Sequence, residues 1–450
     1  MDIISLIPQF GGFLYTIAAF IIALSVIVVV HEYGHYIVGQ WCGIHAEVFS
    51  LGFGPVLLSR ADRRGTRWQV AALPFGGYVK FLGDANAASG KGATAMQMIA
   101  DDGELRNRTM HGAPLWARAA TVAAGPVFNF VMSIIVFAVI FIFRGEESDP
   151  LTVGKLQNLP PAGYELQVGD EILAIDGVPT PSIADQQVWD DLARDLPVVE
   201  TLDYTVHRQG ERITVTGPYL FPPIIKQIVP RSAAMDIELR PGDVIQSVNG
   251  TLIHAFGQLK STVESSDGRV LLLKVWRDGN VLDFALTPQR TDEPQADGGF
   301  VTYWRIGIVG GMAFEPATEM TSPLRAIDGA VVQTWAIISG SLSVLWHMVT
   351  GAISTCNISG PIGIAETSGA MASQGVQNFV WFIAVLSTAV GLLNLFPVPV
   401  LDGGHLVLHA YEAVTGKPPG DMAMRVLMAT GISLILMLTV FALGNDIFCP

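Results

Sequence analysis

Charge is what this sequence has least of. Lys, Arg, Asp and Glu together make up 15% of its 450 residues, against ~25% in a soluble globular domain. Cysteine is nearly absent. Cys42, Cys356 and Cys449 are too few for a disulfide framework, and none stands in a CxxC spacing. No Lys or Arg precedes Arg60, so the positive leader region of a cleavable signal peptide is missing. The net charge of −14 excludes a sequence-wide nucleic-acid footprint, and no nucleic-acid partner is expected. Half of the residues are hydrophobic and the mean hydropathy is +0.44, which excludes disorder, collagen-like fibres and coiled coils. A membrane protein with two or three domains is left.

Four uncharged apolar runs are long enough to cross a ~30 Å hydrocarbon core: Phe13–Val30, Ala119–Phe143, Val376–Leu401 and Val426–Leu443. A fifth candidate, Gly329–Trp346, is uncharged but contains Gln333, Thr334, Ser339, Ser341 and Ser343. Its residues Ile327, Val331, Val332, Trp335 and Ile338 recur at helical spacing, which suits a helix on the membrane surface or beside the spans. Between the HEYGH motif and the second span, nine bases from Arg60 to Arg118 face six acids; from Arg144 to Arg325, 26 acids face 15 bases. The positive-inside rule makes the first loop cytoplasmic and the acidic segment external, which in a bacterium means periplasmic.

The acidic segment contains a repeat. Leu166–Gly177, with Gly169-Asp170 and Asp176-Gly177, recurs as Leu239–Gly250, with Gly242-Asp243 and Asn249-Gly250. Each copy precedes a predicted helix and a hairpin, turning at Arg208-Gln209-Gly210 and Arg277-Asp278-Gly279. Two β-rich modules follow. Their Gly-Asp and Asp/Asn-Gly pattern resembles PDZ domains, which bind an extended peptide along an open sheet edge. A module that only filters access sterically fits the same pattern.

Chemistry enters at His31-Glu32-Tyr33-Gly34-His35, an H-E-x-x-H sequence ending the first span. On a helix, residues four apart lie ~40° apart in azimuth, so both imidazoles face one way and can hold one Zn²⁺, with Glu32 beside them as general base. Ionisable groups in a bilayer cost ~2.5–3.5 kcal/mol each, a cost that zinc binding of roughly 10–16 kcal/mol offsets. The alternative is a polar helix end with solvated histidines. A catalytic zinc needs a third protein ligand. Asp402 is the best candidate, in Asn394-Leu395-Phe396-Pro397-Val398-Pro399-Val400-Leu401-Asp402-Gly403-Gly404. Pro397 and Pro399 preclude a regular helix there, and broken helices at membrane depth line cavities. A helix boundary residue is the plainer role for Asp402. His405 and His409 are expected nearer the interface. A shared metal requires Asp402 and the histidines at one depth, hence four spans rather than five.

HEYGH in a first span, NLFPVPVLDGG in a third and PDZ-like modules between spans together resemble the site-2 protease family of intramembrane zinc metalloproteases, in the branch with tandem PDZ domains. The resemblance covers essentially the whole chain. It implies Zn²⁺ on His31, His35 and Asp402, with water activated by Glu32. It also implies cleavage of single-span membrane proteins, such as anti-sigma factors, and of signal-peptide remnants, after another protease has removed their outer part. The alternating segments Glu47–Arg60 and Thr66–Lys80 read as a β-hairpin around Asp62-Arg63-Arg64-Gly65. Gly76, Gly77 and Tyr78 within it resemble the family's membrane-reentrant β-loop, whose edge could pair with unwound substrate, or which only anchors the fold. Asn394 and Asn129, the latter in Gly125-Pro126-Val127-Phe128-Asn129, are candidates for holding substrate backbone or the oxyanion, although an Asn in a span also bonds neighbouring helices. Ser359–Ile364 resembles a family feature before the third span. Ala85–His111 reads as a flexible cytoplasmic insertion.

The expected fold is a polytopic α-helical membrane protein of the bacterial inner membrane, with four transmembrane helices, a membrane-associated β-hairpin and two periplasmic PDZ-like domains. Residues 1–143 hold the first two spans, 144–220 and 221–290 the modules, 291–375 a linker with the surface helix, and 376–450 the last two spans. The rival reading is a proteolytically inactive scaffold with structural zinc and peptide-recruiting modules.

Overall fold

The computed structural model describes residues 3–84, 108–160, 163–183, 186–295 and 298–449. Most of the expected insertion, residues 85–107, lies outside that range. Two compact units emerge: Met1–Ile140 with Ala326–Trp346 and Thr355–Pro450, and Phe141–Arg325 with His347–Ser354.

The helical unit begins with α1, Ile3–Trp41. Beyond Pro8, nothing in its apolar run interrupts helical hydrogen bonding until Gly43 takes φ +81°, a left-handed conformation glycine adopts without strain. Strands β1 (Ala46–Ala61) and β2 (Arg67–Phe81) follow. The turn between them is the expected one, with Asp62 Oδ1 accepting the amides of Arg64 and Thr66 at 2.8 and 3.0 Å. The simple hairpin is not. Residues 46–51 pair with 77–81 and with 67–70, and 56–61 pair with 67–71. The result is a folded-over sheet of four segments. Gly52 and Gly54, both at φ +86°, and Gly76, at φ +121°, sit where the strands bend. Phe49 and Trp68 stack in its core at 4.3 Å, and Tyr36 of α1 packs edge-on against both.

Helix α2, Leu115–Arg144, continues through Pro126. In the second unit, β3 (Glu171–Ile175), β4 (Val178–Pro179), α3 (Gln186–Asp195), β5 (Thr201–Arg208) and β6 (Glu211–Pro218) form a module with strand order β4–β3–β5–β6. The second copy, β7 (Val244–Val248), β8 (Thr251–Leu252), α4 (Phe256–Glu264), β9 (Leu271–Arg277) and β10 (Asn280–Leu286), repeats that order as β8–β7–β9–β10. The turn pairs Asp176-Gly177, Gln209-Gly210, Asn249-Gly250 and Asp278-Gly279 all have positive φ at both residues, which matches the right-handed twist of two-residue hairpins. In each copy the aspartate of the Gly-Asp motif, Asp170 or Asp243, is 1% exposed and takes a two-pronged ion pair from the arginine of the hairpin turn, Arg208 (2.6 and 2.6 Å) or Arg277 (2.7 and 2.6 Å).

Helix α5, Pro323–Val349, comes next. Its buried residues Ala326, Ala330 and Thr334 recur every four positions, while Val331, Val332, Trp335 and Trp346 stay open. Helices α6 (Pro361–Ser373), α7 (Val376–Asn394), α8 (Asp402–Thr415) and α9 (Asp421–Phe448) complete the helical unit. Among the described residues, five helices are long and apolar enough to cross a membrane, α5 among them with a hydropathy of 1.3 against 2.8 for α1. The third run ends at Asn394 rather than Leu401. Pro397 has no amide to continue the helix, and residues 395–401 form a break before Asp402 opens α8.

Two features of the C-terminal part add to the sequence reading. Cys356 and Cys449 form a single disulfide, with Cα atoms 5.6 Å apart, a pairing the sequence reading did not address. Beside it, Asn445 donates to the Thr355 carbonyl and Asp446 accepts the amides of Gly360, Ile362 and Gly363. The Ser359–Ile364 motif is thus the start of α6, with its orphan amides satisfied by a carboxylate from α9.

Candidate metal and peptidase centre

The site is assembled by packing that glycine permits. Helix α1 presents His31, Glu32 and His35 on one side. A Cβ on Gly34 would meet the Ala124 carbonyl of α2 at 2.6 Å. A Cβ on Gly125 would collide with the His35 ring and lie 2.8 Å from Cε1 of His31. On the other flank, a Cβ on Gly77 would lie 2.7 Å from the Ser50 carbonyl and 3.3 Å from Cγ of Glu32. Asp402 reaches the same point because 395–401 folds tightly onto α8. A side chain on Gly403 or Gly404 would strike the main chain of Leu395 or Val398.

Three ligand atoms converge. His31 Nε2 and His35 Nε2 are 3.2 Å apart, and Asp402 Oδ2 lies 3.1 Å from the first and 3.5 Å from the second. The three side chains are 12, 13 and 17% exposed. Tetrahedral zinc with bonds of ~2.0–2.1 Å needs ligand–ligand edges of roughly 3.3–3.4 Å, so the donor set fits that ion. The electrostatics agree. His35 Nδ1 lies 2.8 Å from the Thr121 carbonyl, which can only accept, so the proton sits on Nδ1 and Nε2 offers a lone pair. Asp402 Oδ2 is buried without a hydrogen-bond partner, a costly arrangement unless a cation meets it. Among the described residues this is the group of His, Cys, Asp and Glu side chains close enough to share a metal.

The centre opens on a cavity of about 320 Å³ lined by His31, Glu32, His35, Gly77, Tyr78, Asn394 and Asp402. Tyr78 stacks on Phe53 at 5.9 Å and accepts from Gln69 Nε2. Gly76 lies at the bend next to Phe53 and not on the cavity wall. Asn394 Nδ2 donates to the Val390 carbonyl of its own helix at 3.1 Å. Asn129, fully buried, places Nδ2 3.2 Å from His31 Nδ1.

His405 and His409, expected at the interface, line the same cavity, as do His111 and Arg118. The forked pair of Arg118 with Glu412, at 2.7 and 3.1 Å, ties α2 to the helix that Asp402 begins. Sequence reading assigned no role to Thr121, Arg118 or Glu412. A carbonyl acceptor leaves no trace in residue type, and a pair 294 positions apart carries no spacing signal.

A HExxH helix joined in space to a distant aspartate, in a protein with several membrane-length helices, defines a multi-pass membrane metallopeptidase. The family model for peptidase family M50 matches residues 19–438. A protein named as a zinc metalloprotease from Rhizobium meliloti (strain 1021) is 36% identical over 96% of this chain and 96% of its own length. One so named from Agrobacterium fabrum is 35% identical over 96% and 95%. The regulator of sigma-E protease of Salmonella typhimurium (strain 14028s) is 33% identical over 96% and 98%. The chain belongs to peptidase family M50, the site-2 protease family, and is a zinc metalloprotease. Family membership removes the inactive scaffold as the leading alternative, and the donor set agrees, since structural zinc has four protein ligands and catalytic zinc three.

Proposed function

We propose that this protein cleaves single-span membrane proteins inside the bilayer, with Zn²⁺ held by His31, His35 and Asp402. The observation that carries the reading is the convergence of three donor atoms within 3.1–3.5 Å, from stretches separated by most of the chain. When bound, zinc lowers the pKa of a water towards ~7 and polarises the scissile carbonyl. Glu32 takes the proton from the attacking water and returns it to the leaving nitrogen. Asn394, with its second amide hydrogen, and main-chain donors steady the developing oxyanion. Peptide bonds in a helix are shielded, so substrate must unwind first, and the edge segment 77–81 next to Glu32 offers it a strand to pair with.

The proposed setting is the bacterial inner membrane, crossed four times by α1, α2, α7 and α9, with α5 lying along the surface. Two features support this. Starting from the charge-derived orientation, only an even number of crossings between His35 and Asp402 brings them to one depth. The same count puts Cys356 and Cys449 outside, where disulfides persist; a fifth span would put both in the reducing cytoplasm. The two modules, read as PDZ domains over 144–220 and 221–290, face the periplasm and restrict access to substrates already trimmed by another protease. Anti-sigma factors and signal-peptide remnants are the substrate class, supported by similarity to a regulator of sigma-E protease.

The test is cleavage of a reconstituted single-span substrate, with product masses mapped. Wild type should cut within the membrane segment and Glu32→Gln should not. Full cleavage by Glu32→Gln, or cuts confined to soluble loops, would overturn the reading.

A further inference from the structure

The sequence makes Asn129 a candidate for holding substrate backbone or the oxyanion. Its surroundings say otherwise. The side chain is 0% exposed, and its carboxamide lies 3.2 Å from His31 Nδ1, the ring nitrogen turned away from the Asp402 carboxylate. Its Oδ1 is buried with no hydrogen-bond partner. It is not among the residues lining the cavity.

These facts meet in one chemical requirement. A histidine that gives its Nε2 lone pair to a metal carries its proton on Nδ1, and that N–H needs an acceptor. His35 has one, the Thr121 carbonyl at 2.8 Å. His31 has only the Asn129 carboxamide, which faces it with the NH₂ end while the oxygen lies idle. The amide's oxygen and nitrogen are interchangeable in shape. Half a turn about Cβ–Cγ brings Oδ1 to His31 Nδ1–H and supplies the missing acceptor.

We infer that Asn129 is a positioning residue for the metal centre: its side-chain oxygen fixes the ring orientation and tautomer of His31, as Thr121 does for His35. The two imidazoles are thus steadied by two acceptors on one helix, eight residues apart in α2. The backbone at this point is built to hold still. The Asn129 carbonyl accepts the hydroxyls of Ser133 at 3.0 Å and Ser387 at 3.1 Å, and a Cβ on Gly391 of α7 would lie 3.2 Å from the Asn129 Cβ. None of those contacts uses the carboxamide, so substitution there spares the helix packing.

The inference rests on His31 as a zinc ligand, and the experiment separates the two. Zinc affinity of the full-length protein in detergent is measured by competition with a chromophoric chelator, in a Glu32→Gln background so that catalysis plays no part. The variants are Asn129→Ala, Asn129→Leu, Asn129→Asp and, as reference, Asp402→Asn. Removing such an outer partner costs about 10–100-fold in metal affinity, and Asn129→Ala and Asn129→Leu should both show that loss. Asn129→Asp keeps an acceptor and has no N–H donor, so it should bind zinc within about threefold of the parent. Thermal unfolding of the apo forms, expected to be unchanged, shows that the loss is not one of folding. Unaltered zinc affinity in Asn129→Ala and Asn129→Leu would overturn the inference, as would Asn129→Asp failing to restore it. If Asp402→Asn binds zinc like the parent, the ligand assignment itself falls.

Discussion

Asp170 and Asp243 in the repeat modules and Asp402 in the helical unit stand next to glycine in sequence motifs, and all three are largely withdrawn from water. In the modules each carboxylate oxygen is engaged, by both arms of an arginine and by the amide of Gln167 or Arg240. In the helical unit Asp402 Oδ2 has no donor and faces two imidazole nitrogens, one of which offers a lone pair. A carboxylate closed off by its own fold holds structure together. One left open towards other electron-pair donors is shaped for an ion the chain does not supply. The same residue type, similarly buried, thus divides into scaffold and chemistry by the completeness of its partners.

The sharpest way to break this comparison is at the open centre. Glu32→Gln should leave the zinc in place and reduce cleavage by about 10²–10⁴-fold, the usual worth of a general base; product formation measured beside metal content checks both halves. Gly125→Ala comes next. Its methyl group would press on His35 and His31, and a displacement of this size at reacting groups costs roughly 10²-fold. Cleavage rate should fall by about that factor with the substrate's KM nearly unchanged.

The closed aspartates should answer differently. Arg208→Ala or Arg277→Ala strands a buried carboxylate and should destabilise its own module by about 3–5 kcal/mol, seen as a lowered unfolding transition, while zinc content stays at the wild-type level. Equal effects in both modules would confirm that the repeat is energetic as well as topological. The smallest effect is expected at the Cys356–Cys449 link. Native protein should titrate one free thiol, Cys42, and three after reduction. Three without reduction would remove the disulfide's support for the outward placement of both cysteines.

Much of this contrast was visible in the residues themselves. HEYGH fixes a face because helical spacing is local, and the broken Pro397–Pro399 run draws attention to Asp402 as a lone acid at the end of an uncharged apolar stretch. The repeat was visible too, down to the arginines at the hairpin turns, but not that Arg208 and Arg277 reach back to Asp170 and Asp243. Ion pairs between strands depend on register, which residue order encodes only indirectly. The folding-over of β1 and β2 was hidden because Gly52 and Gly54 are compatible with either a straight or a bent strand. The disulfide was hidden because 93 residues separate its halves. Asn129 was placed at the centre by its motif, but its contact with His31 rather than the cavity depends on how α1 and α2 pack.

The most direct test of the central claim is the metal content of purified protein carrying Asp402→Asn, measured beside wild type and His31→Ala after identical dialysis. One zinc per wild-type chain, with a loss in Asp402→Asn as deep as in His31→Ala, is the result expected if donors from both ends of the chain share one ion. Full zinc in Asp402→Asn, with loss only in His31→Ala, would contradict it.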